Sequence, residues 1–312
     1  MSQASGTGTG KYEKLLERCK ALEAIPTAVV YPCAESALAG AVEAAALRLI
    51  VPVLVGPAGK IRETAEAAGI DLGNLEIEDV PESVAAAARA VAIVREGRAE
   101  ILMKGSLHTD ELMSAIVSRD GGLRTGRRIS HVFVMDVPTY HKVLVVTDAA
   151  INIAPALEDK VDIVQNAIDL CVSLGLERPK VAILAAVETV NSKMPATLDA
   201  AALCKMAERG QIKGGMLDGP LAFDNAISRQ AAQIKGIRSE VAGDPDILLA
   251  PDLEAGNILA KQLSFLANAD SAGLVLGARV PVILTSRADT VRARIASCAV
   301  AMLAAHARRA KM

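Results

Sequence analysis

Tryptophan is missing from this 312-residue chain, and the aromatic complement stops at three phenylalanines and three tyrosines. Proteins that hold single-stranded nucleic acid stack bases on flat rings, and those that hold a duplex carry an excess of positive charge. With a formal net charge of -2 the chain has neither feature, and no nucleic-acid partner is expected. Long apolar runs are also lacking. Hydrophobic residues make up 52% of the chain, but much of that is alanine, and no run approaches the ~20 residues that span a bilayer. A soluble, cytoplasmic protein without a membrane partner is expected. The Gly-, Thr- and Ser-rich stretch from Met1 to Lys11 has no apolar core of a signal peptide and reads as a disordered tail. The five cysteines, Cys19, Cys33, Cys171, Cys204 and Cys298, show no paired spacing of a zinc site or a redox dithiol, as suits thiols in a reducing compartment. Asp252 and Glu254 are joined by no histidine, so no metal is expected.

What is present is alternation. Apolar, strand-like runs (Thr27 to Tyr31, Ile50 to Val55, Ile101 to Met103, Val132 to Val137, Val143 to Val146) are separated by alanine-rich helical stretches (Ala34 to Leu47, Ile61 to Ala68, Val84 to Val94, Thr109 to Val117). The second half continues with helix Glu158 to Leu174, strand Lys180 to Ala186, helix Pro195 to Arg209, strand Gly214 to Leu217, helix Leu221 to Ile234, strand Ile247 to Ala250 and helix Ala255 to Leu266. This order predicts parallel strands with crossover helices, a doubly wound α/β architecture. The strands are short and almost continuously apolar, as when both sheet faces are covered. No internal repeat of fixed period is present, which excludes a solenoid. The length fits about two domains of ~150 residues. We expect two α/β/α lobes facing a cleft, residues 1–136 completed by 272–312 forming the first and 137–271 the second, with no metal or tightly bound cofactor.

Polar residues recur where the apolar runs stop. They are Lys104-Gly105-Ser106-Leu107-His108, Thr147-Asp148, Glu188, Asp218-Gly219-Pro220, Pro251-Asp252-Leu253-Glu254 and Ser286-Arg287. Ligands of parallel α/β sheets bind beyond the carboxyl ends of the strands, so these segments describe one site and the chain reads as an enzyme. Ser286-Arg287, between Val280 to Leu284 and the helical stretch Ala288 to Ala305, is the most informative of them. A hydroxyl and a guanidinium near the opening N–H groups of a helix suit a phosphate or a developing oxyanion. Ser286 is also read as the cap of that helix, with Asp289 completing a capping-box-like arrangement. Lys104 is either a point charge on phosphate or a strand-end lysine in solvent. His108 either moves a proton or starts the helix at Thr109. Arg124, Arg127 and Arg128 form a basic cluster that either receives phosphates or is solvated. Glu188 and Lys193 suit a salt bridge better than catalysis, and Gly56-Pro57-Ala58-Gly59-Lys60 is a turn that lacks the full phosphate-loop spacing.

Four ordered stretches, Lys180 to Ala202, Asp218 to Ala226, Ile247 to Lys261 and Pro281 to Arg287, resemble the phosphate acetyltransferase and phosphate butyryltransferase family. That family exchanges the CoA of an acyl-CoA for phosphate. The spelling resembles the butyryl-type members, or the transacylase half of proteins fused to a hydratase-like domain, more than the acetyl-specific type. The resemblance implies a two-lobed fold like that of isocitrate and isopropylmalate dehydrogenases, a homodimer, CoA as substrate or product, and acyl phosphate in the cleft. It implies catalytic roles for Ser286 and Arg287, with Pro251, Asp252, Leu253, Gly256 and Asn257 as a binding motif and Asp218-Gly219 as a turn. The carboxylate that acetyl-type enzymes carry seven residues after the serine is here Ala293, which leaves Asp289 as the candidate base. Their first-lobe arginines have no counterpart near Leu112-Met113. Position at the strand ends and in the basic loop makes Lys104, Gly105, Ser106, His108, Arg124, Asp148 and Glu188 candidate substrate contacts, and the resemblance adds Asp218, Asp252 and Asn257. Direct attack in a ternary complex needs no covalent enzyme intermediate. Two other readings follow: a weakly active or non-catalytic CoA-binding partner, from the missing base, and a metal-dependent hydroxyacid dehydrogenase, from the shared fold.

Overall fold

The computed structural model describes residues 10–286 and 289–310. The chain divides into two compact units, a terminal one of Tyr12–Arg127 with Ala272–Met312 and a central one of Met1–Lys11 with Arg128–Ser271. Along the chain, helix α1 (Lys11–Cys19) precedes β1 (Ile25–Val30), α2 (Glu35–Ala46), β2 (Ile50–Gly56), α3 (Ala58–Ala68), β3 (Glu76–Asp79), α4 (Ser83–Arg95), β4 (Ile101–Lys104) and α5 (Thr109–Val117). The central unit follows with β5 (Ser130–Asp136), β6 (Leu144–Thr147), α6 (Leu157–Ser173), β7 (Lys180–Leu184), α7 (Pro195–Glu208), β8 (Met216–Leu221), α8 (Phe223–Ile227), α9 (Arg229–Ile234), β9 (Ile247–Leu249) and α10 (Leu253–Leu266). Strand β10 (Asp270–Leu276) leads back to the terminal unit, which closes with β11 (Val282–Ile283) and α11 (Val291–Arg309).

In the terminal unit the strand order is β3-β2-β1-β4-β11-β10. Strands β1 to β4 and β11 run parallel, and β10 is antiparallel to β11. The chain winds from β1 outward through β2 to β3, then crosses to β4 on the other side of β1. The order thus reverses between β1 and β4, the place where doubly wound sheets leave a crevice. Burial follows the covered-sheet expectation: Ala28, Val29, Val30, Ile101, Leu102, Met103, Val282 and Ile283 are all fully buried. Alanine dominates α2, α4 and α11, where it favours helix and lets backbones approach closely.

The central unit orders its strands β5-β6-β9-β7-β8. Its core gathers Met135, Val137, Tyr140, Leu144, Val146, Ala182, Leu184, Leu221, Leu248 and Ala260. Strands β6, β9, β7 and β8 are parallel, but β5 is antiparallel to β6. An all-parallel arrangement is therefore corrected at β5 and again at β10. The connection from β5 to β6 is too short for a crossover helix, and short connections produce antiparallel neighbours. Pairing of β5 with β6 also draws β5 into the central unit, so the chain divides after Arg127 and not near Val137.

Other boundaries differ for local reasons. The helix expected over Leu221 to Ile234 is two helices, because Ser228 takes extended φ and ψ and its hydroxyl accepts from the Ala231 N–H at 3.2 Å, capping α9. Lys11, expected in a tail, opens α1, with its ammonium 2.8 Å from Asp136 and donating to the Val137 and Tyr140 carbonyls. The rest of that tail, residues 1–9, lies outside the described residues. Among the described residues no helix is long and apolar enough to cross a membrane.

Candidate functional site

At the β1/β4 crevice the backbone is pressed together. Lys104 pairs with Val30 at the carboxyl ends of the two strands. The Gly105 N–H then donates to the Val30 carbonyl at 2.8 Å, and the Ser106 N–H to the Tyr31 carbonyl at 2.9 Å. A Cβ on Gly105 would lie 2.3 Å from the Val30 oxygen, so only glycine fits this approach. The Ser106 hydroxyl donates to the Tyr31 carbonyl at 2.7 Å and accepts from the Cys33 N–H at 3.1 Å. Ser106 is therefore the tie between the two strand-end loops. Lys104 is buried, at 3% exposure, which overturns its reading as a strand-end lysine in solvent. Tyr31 adopts a φ of 54° and Cys33 follows in the same loop. Burial pushes the Cys33 thiol up, partly offset by the charge of Lys60. The Tyr31 to Cys33 loop was missed in the sequence because nothing in Tyr-Pro-Cys spells a ligand.

Strand β11 pairs with β4 on the other side, Ile283 opposite Met103. The Leu284-Thr285-Ser286 segment thus leaves the sheet at the strand end next to Lys104-Gly105-Ser106. Ser286 is exposed and Thr285 is buried. The Ser286 N–H donates to Asp289 Oδ2 at 2.6 Å, and the Asp289 N–H returns to the Ser286 carbonyl at 3.2 Å. Helix α11 begins at Val291, and its cap is Thr290, whose hydroxyl accepts from the Ala293 N–H at 3.2 Å. Ser286 is thus not the cap. The β-branched threonine in extended geometry takes that place, and Ser286 with Asp289 makes a separate turn ahead of the helix. Arg287 lies outside the described residues. Ala293 sits in the first turn of α11 with no carboxylate to offer, and next to it the buried Arg294 donates from Nη1 to the Thr285 hydroxyl at 2.6 Å and from Nη2 to the Ser286 carbonyl at 3.0 Å. Arg294 was overlooked because only packing reveals it.

Two further candidates of the terminal unit have partners of their own. His108 is exposed at the start of α5, where its N–H donates to Glu111 Oε2 at 3.1 Å, the helix-starting role. Arg124 bridges Ala278, and the neighbouring Thr125 hydroxyl donates to Gly277 at 2.6 Å. Those partners precede β11, whereas Ser286 follows it. Arg128 belongs to the other unit, donating to Asn152 at 2.7 Å and lying 3.2 Å from Asp159.

In the central unit Asp148 and Asp252 follow the carboxyl ends of the paired strands β6 and β9. The buried Asp148 carboxylate accepts from the N–H groups of Ala150 and Ile151 at 2.9 and 3.0 Å, and from Asn152 Nδ2 at 2.6 Å. Asp252 caps α10, accepting from the Ala255 N–H at 2.8 Å. Gly256 rests on the Asp148 carbonyl, where a Cβ would stand 2.2 Å from the oxygen. Asn257 donates to the Ala149 carbonyl at 2.9 Å. The Pro-Asp-Leu-x-x-Gly-Asn motif is therefore a clamp on the loop after β6. Asp218, expected in a turn after its strand, lies inside β8 opposite Ala182 and accepts from its neighbour Gly219. The strand continues to Leu221 because β8 is an edge, where Pro220 costs no ladder bond. Glu188 pairs with Lys235 at 2.9 Å, and that hydrogen bond holds its carboxyl below the usual range. The salt bridge is present, with Lys235 instead of Lys193. Among the described residues no three His, Cys, Asp or Glu side chains are grouped to hold a metal ion.

Residues 76–302 match the family described as Phosphate acetyl/butaryl transferase. Over 300 residues the chain is 64% identical to a phosphate acetyltransferase of Rhizobium meliloti, covering 96% of this chain and 95% of the relative. It is 41% identical to a phosphate butyryltransferase of Clostridium beijerinckii, covering 94% and 97%. A branched-chain phosphotransacylase from Enterococcus faecalis V583 superimposes with a TM-score of 0.79 at 30% identity, over 90% of this chain and 99% of that one. Relatives named for acetyl transfer and for butyryl transfer thus both match over nearly the whole chain.

Proposed function

This chain belongs to the phosphate acetyl/butyryl transferase family and is a phosphate acyltransferase, and we propose that it exchanges the CoA of acetyl-CoA for phosphate by direct attack in a ternary complex. The single observation that carries the choice of acetyl is the 64% identity to a phosphate acetyltransferase across nearly the whole of both chains. In this reading a phosphate oxygen attacks the thioester carbonyl, negative charge collects on the carbonyl oxygen, and the C–S bond breaks to release CoA as its thiolate, which takes up a proton.

Each step calls for fixed positive or hydrogen-bonding groups near a water-poor surface. The Ser286 hydroxyl and the Arg287 guanidinium are assigned to phosphate and oxyanion, with Lys104 at the adjoining strand end as a further anion contact and Gly105 and Ser106 holding the loop that follows it. The geometry supporting this is the pairing of β4 with both β1 and β11, which delivers these segments to one end of one sheet. Asp289 is assigned to holding the turn, since its carboxylate already accepts the Ser286 N–H. Arg124 is assigned to the phosphates of the CoA moiety, and Asp148, Asp252 and Asn257 to shaping the loop after β6. No tightly bound cofactor is invoked. The protein acts as a cytoplasmic homodimer.

The test is thiol release from acetyl-, propionyl- and butyryl-CoA with and without phosphate. Release that depends on phosphate and is fastest with acetyl-CoA is the expected result. Faster release from butyryl-CoA overturns the acetyl assignment; a single methylene is worth about 10- to 200-fold in such pockets, ample to rank the substrates. CoA binding without turnover restores the non-catalytic reading.

A further inference from the structure

Arginine is the largest fully buried side chain among the described residues. Arg294 is 1% exposed, and no carboxylate lies within ion-pair distance of it among the described residues. Two of its nitrogens serve the Thr285 hydroxyl and the Ser286 carbonyl, while Nε has no hydrogen-bond partner. It also stands in the first turn of α11, where the helix dipole disfavours a cation. A charge placed so unfavourably must be held for another purpose, because a buried, unpaired cation costs far more than an apolar side chain of the same volume. The opposing helix makes room for it: Gly40 lies in α2, where glycine weakens a helix, and a Cβ there would come 2.6 Å from Arg294 Cδ.

Resting on the acyltransferase reading, we propose that Arg294 is the positioning residue of the serine turn. Its guanidinium fork fixes Thr285 and the Ser286 carbonyl from beneath, so that the Ser286 side chain is held against the substrate. The planar fork is essential, since a lysine ammonium is a point donor that cannot span both acceptors with the same geometry.

The experiment begins with wild-type protein in the phosphate-dependent thiol-release assay; no release there removes the acyltransferase reading and this inference with it. With turnover established, R294K and R294M are expected to melt cooperatively yet lose about 10²-fold in kcat, the scale of an ångström of misplacement, with little change in KM for acetyl-CoA. T285V, which removes one acceptor and keeps the shape, is expected to lose about tenfold, the worth of one hydrogen bond to a charged group. Added to S286A, each change is expected to cost almost nothing more, because both act through the same turn. A folded R294K with kcat near wild type, or losses that multiply in the double variants, overturns the proposal. If the Arg294 variants do not fold, the T285V and S286A cycle decides it alone.

Discussion

At Ser286 the peptide is tied from both sides, its N–H to Asp289 and its carbonyl to Arg294, while the side chain itself is exposed. Alanine there keeps both backbone bonds, so S286A is expected to retain the wild-type melting temperature and lose about 10²–10³ in kcat, the usual effect of deleting one oxyanion donor. R287Q is expected to do the same or more, because a neutral amide cannot balance phosphate charge. Steady-state kinetics beside thermal melts separates the two effects, and full activity in either variant removes that residue from the chemistry. In the central unit, Asp244 contributes to the acid response of the fold. Asp244 lies 2.6 Å from Lys180 and 3.1 Å from Lys142. Burial raises its pKa, but the hydrogen bonds from Lys180 and Lys142, with the charge of both, outweigh that and leave it at about 2. An unfolded aspartate titrates at about 3.9, so the unfolded chain binds the proton first. The stabilisation is complete above that value and fades as pH falls towards 2. In D244N the melting temperature should lose part of its slope between pH 4 and 2, and an unchanged slope would remove Asp244 from the acid response.

The clamp made by α10 shows how an element carries a signature that looks chemical. Asp252, Gly256 and Asn257 were readable as a motif, and their spacing in one helical start was legible, but the targets of Gly256 and Asn257, Asp148 and Ala149, lie about a hundred residues earlier in the chain. Only β6 lying beside β9 brings them together. G256A is expected to destabilise the protein by about 1–3 kcal/mol, since its Cβ would collide with a backbone oxygen. N257A should cost about 1 kcal/mol for its hydrogen bond. Chemical denaturation measures both, and a stable G256A would show that the loop after β6 yields freely. The apolar runs gave most strands to within a residue or two, because residues covered on both faces leave an unbroken pattern. Strand β3 was passed over because Glu-Ile-Glu-Asp on a sheet edge reads as loop, and α1 because its short amphipathic turn adjoined a low-complexity stretch. The serine turn was legible as a place of anion chemistry. Its cap was assigned to Ser286 because Ser-x-x-Asp satisfies the capping pattern as well as Thr290 does, and only backbone geometry separates them.

For the molecule as a whole the question is its assembly. Helix α10 turns Leu259, Ala260 and Leu263 toward the central unit's core, which accounts for one face. On another it leaves Ile258 at 57%, Phe265 at 77% and Leu266 at 81% exposure, with Ile258 and Phe265 two turns apart and so in line along the helix. Phenylalanine is scarce in this sequence, and a side chain of that size left in water forgoes roughly 1.5–3 kcal/mol of burial, so this row is where contact with a second copy is to be tested. The α10 row, self-complementary in an isologous pair, is our assignment for the homodimer interface. Sedimentation of the wild-type protein should give twice the chain mass of 32.4 kDa. I258D with F265D should shift it to the monomer while leaving the circular dichroism spectrum unchanged, because neither side chain supports the core of its own unit. A dimer that survives both charges would place the interface elsewhere, and a wild-type monomer would show that one chain is sufficient for acyl transfer.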